Sequence, residues 1–84
     1  MRTVAYSREA EKALRRMPAN VAQLIVAKIN QFARDPASLA NNVKALAGMS
    51  DYLRLRVSDW RVILREDGLV VAVIRIAPRG EAYR

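Results

Sequence analysis

The chain contains no cysteine and no histidine among its 84 residues. Without cysteine there is no disulfide and no thiolate metal site, which is compatible with a reducing cytoplasm. Histidine is the commonest general base, cysteine is a frequent nucleophile, and the two are the usual zinc ligands. We therefore expect any catalysis to use other groups, with no metal ion and no small-molecule cofactor.

Long apolar runs, glycine and acidic clusters are also scarce. No run approaches the roughly 20 apolar residues that span a membrane, and the N-terminus lacks the apolar stretch of a signal peptide. The sequence therefore predicts a soluble, cytoplasmic protein with no membrane partner. The three glycines form no phosphate-binding loop. The eight acidic residues are scattered, without a D-x-D or E-x-x-E grouping, so two-metal nuclease chemistry is not expected.

Basic residues, in contrast, are abundant. The chain has fifteen Lys and Arg and eight Asp and Glu, which gives a net charge of +7. Twelve of the fifteen basic residues are arginine. The planar guanidinium binds phosphate through two N–H groups at once and stacks on bases, which lysine does not. The composition favours nucleic acid or an acidic protein as partner. A solvated basic surface, or a genome that prefers arginine codons, would give the same composition.

The N-terminal half has the pattern of one strand and two helices. Residues 3–6 predict a short strand, and Ser7 is a plausible N-cap for a helix that Pro18 ends. Asn20 can cap a second helix, which ends near Pro36. Because the link between the helices is tight, we expect an antiparallel helical hairpin. Phe32 and Ile29 belong to the apolar stripe of the second helix and are predicted core residues.

The C-terminal half changes to a period of two. Residues 52–57 and 60–65 alternate, residues 66–68 have turn composition, and residues 69–76 form an apolar run typical of a strand covered on both faces. The sequence predicts one α+β domain spanning residues 1–84, in the order β-α-α-β-β-β. An antiparallel sheet packs against the N-terminal helical hairpin and presents an arginine-rich face on its other side.

Several arginines are expected to share that face. Arg54 and Arg56 point the same way, and Arg61 can lie beside them after the turn. Arg75 and Arg79 come near the end of the last strand. A solvated face whose arginines pair with acidic residues is an equally good interpretation of the pattern alone. The acidic residues available for such pairing are Asp51, Asp59, Glu66 and Asp67.

An arginine cluster without histidine or metal suits one reaction well. RNA can be cleaved by attack of its own 2′-hydroxyl on the adjacent phosphate, which needs neither a metal nor a protein nucleophile. The enzyme then has to neutralise the phosphorane, orient the sugar and move two protons. Arginines supply the charge, and an aromatic ring such as that of Tyr83 or Trp60 can stack on a base. Trp60 is more simply interpreted as a residue that packs against the sheet.

Three segments of the C-terminal half resemble the RelE/ParE toxin superfamily. Residues 44–48 match the family pattern K-x-L-x-G, residues 52–63 match Y-R-L-R-V-G-D-Y-R-V-I-Y, and residues 78–84 match a basic H-R-x-x-x-Y-R ending. The order and length of the preceding elements agree as well. The resemblance implies the toxin of a type II toxin–antitoxin pair. RelE-type members enter the ribosomal A site and cut mRNA there by the 2′-hydroxyl route.

The resemblance also implies roles for individual residues. Arg61 is expected to hold the scissile phosphate, Arg79 to stabilise the phosphorane or protonate the leaving oxygen, and Tyr83 to stack on a base. The implied catalytic residues are Arg54, Arg61, Arg79 and Tyr83, and the implied RNA-binding residues are Lys44, Arg56, Arg75 and Arg84.

Two positions depart from the best-studied RelE pattern. Tyr52 stands where that pattern has a lysine thought to help take the hydroxyl proton, and Pro78 replaces a frequent histidine. The general base is therefore open, and the candidates are Arg54, Tyr52 and a group of the ribosomal RNA.

The resemblance is compatible with three functions. The first is a ribosome-dependent mRNA endonuclease, favoured by Arg79 and Tyr83, because ParE-like members usually lack this pair. The second is a ParE-like poison of DNA gyrase, which cuts nothing itself, and the third is an inactive relative that binds antitoxin or operator. The implied partners are the ribosome with its mRNA and a cognate antitoxin, expected to be acidic and partly disordered and to wrap the toxin.

Overall fold

A computed structural model describes residues 2–46 and 49–78 of the chain. The elements follow one another with short connections. They are β1 (Thr3–Tyr6), α1 (Arg8–Arg16), α2 (Ala19–Arg34), a 3₁₀ helix (Pro36–Asn42), β2 (Val43–Leu46), β3 (Met49–Val57), β4 (Trp60–Glu66) and β5 (Val70–Pro78). In this described part, no helix has the length and apolar character that crossing a membrane requires.

The five strands form one mixed sheet in the order β1-β5-β4-β3-β2. Strands β2 to β5 form an antiparallel meander, and β1 pairs in parallel with β5. The α+β class is confirmed, but the sheet has one more strand than expected and is not entirely antiparallel. The extra strand β2 has only four residues, too few for a clear alternation. The partner of β1 lies more than 60 residues away, so no local pattern could indicate a parallel pairing.

Both helices pack against the same face of the sheet. The hydroxyl of Ser7 caps α1 as expected, since its Oγ accepts a hydrogen bond from the Ala10 amide at 3.0 Å. The predicted cap of α2 at Asn20 is wrong, because α2 begins at Ala19 with Pro18 as its N-cap. The Pro18 carbonyl accepts the amides of Val21 and Ala22, both at 3.0 Å, so the proline sets the start of the helix.

The core lies between the helices and alternate residues of the central strands. Phe32 and Ile29 are buried in it, which confirms their assignment. Trp60 is partly buried against the same core, as expected for a packing aromatic. The largest fully buried side chains are those of Ile25, Ile29, Leu55, Leu64, Val62, Val71 and Val73. Because side chains alternate along a strand, the residues between these core positions form the other face of the sheet.

The Tyr6 side chain yields the first prediction. Its hydroxyl is buried without a hydrogen-bond partner in the described part of the chain, and burial raises the pKa of this phenol. A buried hydroxyl without a partner is unfavourable, so Tyr6→Phe should raise the free energy of unfolding by about 1 kcal/mol. Urea unfolding measures the change, with Tyr52→Phe on the opposite face as a control expected to be neutral. A loss of stability in Tyr6→Phe would mean that the hydroxyl has a partner.

The turn between β4 and β5 yields a pH-dependent prediction. Asp67 accepts hydrogen bonds from the Val70 amide at 2.8 Å and the Leu69 amide at 2.9 Å. These bonds lower the pKa of Asp67 below its ordinary value of 3.8, with the Val70 bond the larger cause. A lowered native pKa contributes stability above the ordinary value, and this contribution is lost as the pH falls through the native pKa.

Asp67→Ala should therefore be less stable than the wild type at neutral pH, and the difference should shrink at about pH 2.5. Thermal unfolding at both pH values measures this difference. Asp59→Ala, in the exposed preceding turn, serves as the control. A difference that does not change with pH would contradict the assigned cause.

Candidate nucleic-acid interface

The face of the sheet that the helices leave uncovered carries a group of basic side chains. Directly opposed residues of neighbouring strands share a face. Lys44 is opposite Arg54, and Arg54 is opposite Ile63. In the same way Arg56 is opposite Arg61. We call this surface the arginine face; its basic members are Lys44, Arg54, Arg56, Arg61 and Arg65.

Two of the acidic residues that could neutralise the arginine face are engaged elsewhere. Glu66 pairs with Arg2, and Asp67 is engaged by the amides of its own turn. Two further ion pairs join Arg15 to Glu11 at 3.9 Å and Arg75 to Glu9 at 4.0 Å, both at α1. Of the four acidic residues considered for pairing with these arginines, Glu66 and Asp67 thus have other partners.

The centre of the arginine face is apolar. Ile63 is only 7% exposed and Ala77 only 5%, and the two form a cluster separate from the core beneath α1 and α2. Leu46, Tyr52 and Ile74 pack around this pair. The face thus combines a basic periphery with a central apolar patch that includes one aromatic ring. Proteins that bind single-stranded nucleic acid combine cations that track the phosphates with aromatic rings that stack on the bases, and here the partly exposed ring is that of Tyr52.

Arg61 is the most constrained basic residue of the face. It is 9% exposed, and its Nη1 donates to the Trp60 carbonyl at 3.2 Å and to the Ser58 carbonyl at 3.4 Å. Ser58 lies in the turn before β4 and has a φ of 53°, in the left-handed region. The turn carbonyls therefore fix the position of the guanidinium while engaging only one of its nitrogens. A cation held in place in this way loses little freedom when it binds a phosphate.

Arg75 lies apart from the other predicted site residues. It is opposite Ile63, at an irregularity in the β4–β5 register. Its Nε is 4.0 Å from Oε1 of Glu9, so the side chain reaches towards α1. The structure brings Lys44, Arg54, Arg56 and Arg61 onto one face and directs Arg75 towards another. The predicted residues Arg79, Tyr83 and Arg84 lie outside the described residues.

Arg65 also belongs to the arginine face, although it was not among the predicted site residues. It is directly opposite Tyr52, at the far end of β4 from Arg61. The signal was present, because Arg61, Ile63 and Arg65 are spaced two residues apart on one strand. The Tyr52–Arg65 pair places a phenol hydroxyl and a guanidinium on the same part of the face.

The chemistry available on this face is electrostatic. Its arginines can neutralise a phosphate that gains charge during attack, and Tyr52 adds one ring and one hydroxyl. No three acidic side chains of residues 2–46 and 49–78 come together as ligands for a cation. Charge stabilisation by arginines suits a substrate that carries its own nucleophile.

The chain is a small α+β domain with a basic sheet face, and comparison with known families identifies the class to which it belongs. The model of the ParE toxin of type II toxin–antitoxin systems matches residues 4–83. The chain belongs to this family, within the RelE/ParE superfamily. A search of curated proteins finds no match.

Solved structures support the fold. The archaeal RelE–RelB complex from Pyrococcus horikoshii has 24% identity and a TM-score of 0.79, over 96% of this chain and 98% of that one. The RelBE2 complex of Mycobacterium tuberculosis has 21% identity and a TM-score of 0.77, over 93% and 98%. The isolated RelE toxin of Escherichia coli has 22% identity and a TM-score of 0.77, over 99% and 92%. At these identities the likeness establishes the fold of the chain.

The buried position of Arg61 yields a prediction that separates its structural role from a chemical one. Its two hydrogen bonds are long and its stem is packed, so Arg61→Ala should lower the free energy of unfolding by about 1–2 kcal/mol. Arg56→Ala, directly opposite but exposed, should cost less than about 0.5 kcal/mol. Chemical denaturation of the two variants makes the comparison. Equal costs would mean that the turn does not depend on the Arg61 guanidinium.

Proposed function

We propose that this toxin is a ribosome-dependent mRNA endonuclease that cleaves in the A site by metal-independent attack of the RNA 2′-hydroxyl. The observation that carries the proposal is the arginine face. Its described strand residues include five basic side chains around an apolar centre and no acidic one. A surface with this excess of positive charge attracts a polyanion such as RNA.

The reaction requires little covalent chemistry from the protein. The 2′-oxygen attacks the adjacent phosphorus and gives up its proton, and the 5′-oxygen of the next nucleotide leaves and takes one up. The products are a 2′,3′-cyclic phosphate and a 5′-hydroxyl. Arg61, fixed by its turn, is the proposed ligand of the scissile phosphate, and Arg54 stabilises the charge that develops there. Lys44 and Arg56 hold the flanking backbone.

The C-terminal residues complete the proposed site. By resemblance to RelE toxins, Arg79 stabilises the phosphorane or protonates the leaving oxygen, and Tyr83 stacks on a base of the codon. Arg75 and Arg84 remain proposed RNA-binding residues. Tyr52 brings a hydroxyl to the arginine face two residues before Arg54. The candidates to take the first proton are Tyr52, Arg54 and a group of the ribosomal RNA.

The proposal includes partners and a place in the cell. Solved relatives include complexes of RelE toxins with RelB antitoxins, and we propose an acidic antitoxin for this chain too. The ribosome and its mRNA are the proposed targets, which places the toxin, as a single domain of residues 1–84, in the cytoplasm.

Poisoning of DNA gyrase is the second candidate. The family model that matches the chain is described as the ParE toxin of type II toxin–antitoxin systems. One structural relative, with 19% identity, is described as a YoeB/ParE toxin from Agrobacterium tumefaciens. A gyrase poison needs a protein-binding surface but no scissile phosphate. The turn-fixed Arg61 and the ending that contains Arg79 and Tyr83 favour the nuclease.

Primer extension on mRNA in a translating extract tests the proposal. The wild type should produce cuts at A-site codons, with 5′-hydroxyl ends on the downstream fragments. Arg61→Ala, Arg79→Ala and Tyr83→Phe should each reduce cutting by about a hundredfold or more, the usual scale for losing a group that stabilises the transition state. This loss far exceeds what partial unfolding of a variant destabilised by about 1–2 kcal/mol can explain.

Arg15→Ala is the matched control, since Arg15 is an exposed arginine of α1 on the other layer of the fold. It should cut at the wild-type rate. Intact mRNA together with stalled gyrase–DNA complexes would replace this proposal with the second candidate.

A further inference from the structure

The apolar centre of the arginine face has a buried floor and a partly buried rim. Ile63 of β4 and Ala77 of β5 form the floor, 7% and 5% exposed respectively. Leu46, Tyr52 and Ile74 pack around them and keep part of their own surface accessible. Of these five side chains, only that of Tyr52 carries an aromatic ring and a polar group. An occupant of this centre therefore contacts one ring, aliphatic groups and a single side-chain hydroxyl.

Cations border the apolar centre on the same face of the sheet. Arg54 is directly opposite Ile63, and Lys44 is in turn opposite Arg54. Arg65 is directly opposite Tyr52. Neighbouring strands are about 4.8 Å apart, so these basic residues begin within one or two strand spacings of the apolar centre. A nucleobase fits both properties, because its faces are apolar and flat and its phosphate carries a negative charge.

The position of Arg61 relates the apolar centre to the proposed scissile phosphate. Ile63 follows Arg61 by two residues on β4, so their backbones are about 7 Å apart. Tyr52 is opposite Arg65, four residues from Arg61, and thus lies about 13 Å further along the strand pair. The guanidinium of Arg61 is bonded to two carbonyls of the preceding turn, at the other end of β4. The apolar centre is therefore beside the proposed phosphate, and Tyr52 is on the far side of that centre.

We propose that Tyr52 and the apolar centre form a binding site for one nucleobase of the RNA, that of a nucleotide beside the scissile phosphate. The inference rests on the proposed function, which supplies RNA as the ligand, and it assigns a role to the ring of Tyr52. The base stacks on this ring and covers the aliphatic side chains. Because stacking and apolar contact increase with the area of the base, the site favours a purine over a pyrimidine.

This role separates Tyr52 from the groups that move protons. A general base has to come within hydrogen-bond distance of the 2′-hydroxyl, beside the phosphate that Arg61 holds. The ring of Tyr52 is packed instead against the apolar centre, on the side remote from the turn. Arg54 and a group of the ribosomal RNA then remain as candidates for the first proton. The site is also distinct from the stacking proposed for Tyr83, so two rings of the toxin receive two different bases.

An acidic peptide suits the charges of this surface but not its apolar centre. A peptide backbone brings amides and carbonyls that an aliphatic floor cannot bond, and burying them without partners is unfavourable. A base avoids this cost, because its polar groups lie at its edge while its face covers Ile63. The N–H groups of Arg54 and Arg65 border the centre and can donate to that edge.

Binding of single-stranded RNA to a set of Tyr52 variants tests the proposal. Tyr52→Phe keeps the ring and removes the hydroxyl, whereas Tyr52→Leu keeps the apolar character and removes the ring. Fluorescence anisotropy at low salt measures the Kd of each variant for short oligoadenylate and oligouridylate, after thermal unfolding shows that the variants are folded. The wild type and Tyr52→Phe should bind oligoadenylate more tightly than oligouridylate. Tyr52→Leu should bind oligoadenylate about tenfold more weakly than the wild type.

Leu24→Ala is the matched control for loss of apolar surface, since Leu24 is 45% exposed on α2, in the other layer of the fold. It should bind both oligonucleotides within about twofold of the wild type. Wild-type affinity of Tyr52→Leu for oligoadenylate would overturn the inference. Equal losses in Tyr52→Phe and Tyr52→Leu would also overturn it, because they would assign the effect to the hydroxyl.

Cleavage on ribosomes that hold a defined codon identifies the base. An abasic nucleotide, which keeps the ribose and the phosphate, replaces each position of the codon in turn. Loss of the base that Tyr52 binds should slow cutting by the wild type about tenfold, and it should not slow the already impaired Tyr52→Leu any further. If every position that affects the wild type affects Tyr52→Leu equally, the ring and the bases act independently and the inference is wrong.

The two proposals fail in different ways. Absence of mRNA cutting by the wild type would contradict the nuclease and leave the comparison of Kd values meaningful. Equal Kd values of the wild type and Tyr52→Leu would contradict the nucleobase site and leave the cleavage result unaffected. A wild type that binds neither oligonucleotide would contradict both. A Tyr52→Leu variant that kept its RNA affinity and lost affinity for the antitoxin encoded beside this chain would assign the apolar centre to a protein partner instead.

Discussion

Packing of the two helices on one face of the sheet is the interaction on which the other features depend. Val62 and Leu64 of β4 are fully buried beneath the helices. Because strand side chains alternate, the residues between and beside them, Arg61, Ile63 and Arg65, must lie on the opposite face. The same period in β3 places Arg54 and Arg56 there. Within residues 2–46 and 49–78 both helices contribute to the core on the first face, so the second face is the one that carries the basic side chains of the proposed site.

The sheet face and the turns could be predicted largely from the sequence, since both depend on local rules. The alternation of residues 52–57 and 60–65 placed Arg54, Arg56 and Arg61 together, and Ser7 was recognised as a cap by residue type and position. The features that the sequence did not predict have non-local causes. Strand β2 is short, the parallel pairing of β1 is set by topology, and Arg75 reaches towards α1 because Glu9 lies there. Alternation alone could not indicate that the turn carbonyls fix Arg61.

Strand β5 contributes to more than one surface of the molecule. Its buried residues Val71 and Val73 anchor the helices, and Ile74 and Ala77 contribute to the apolar centre of the arginine face. Beyond the pairing with β1, the last described residues of β5, from Arg75 to Pro78, line a cleft of about 380 Å³ beside α1. One strand therefore serves the core, the proposed RNA site and the cleft, with its irregularity near Arg75 marking the change from one use to the next.

The cleft beside α1 and the arginine face also share a strand pair. Ala77 lines the cleft and is directly opposite Arg61, the arginine that the turn holds in place. Trp60, whose carbonyl accepts from Arg61, lines the cleft too and is opposite Pro78. The end of the β4–β5 pair that carries the proposed phosphate ligand therefore also forms part of the cleft, because one short pair of strands is exposed to both sides of the sheet.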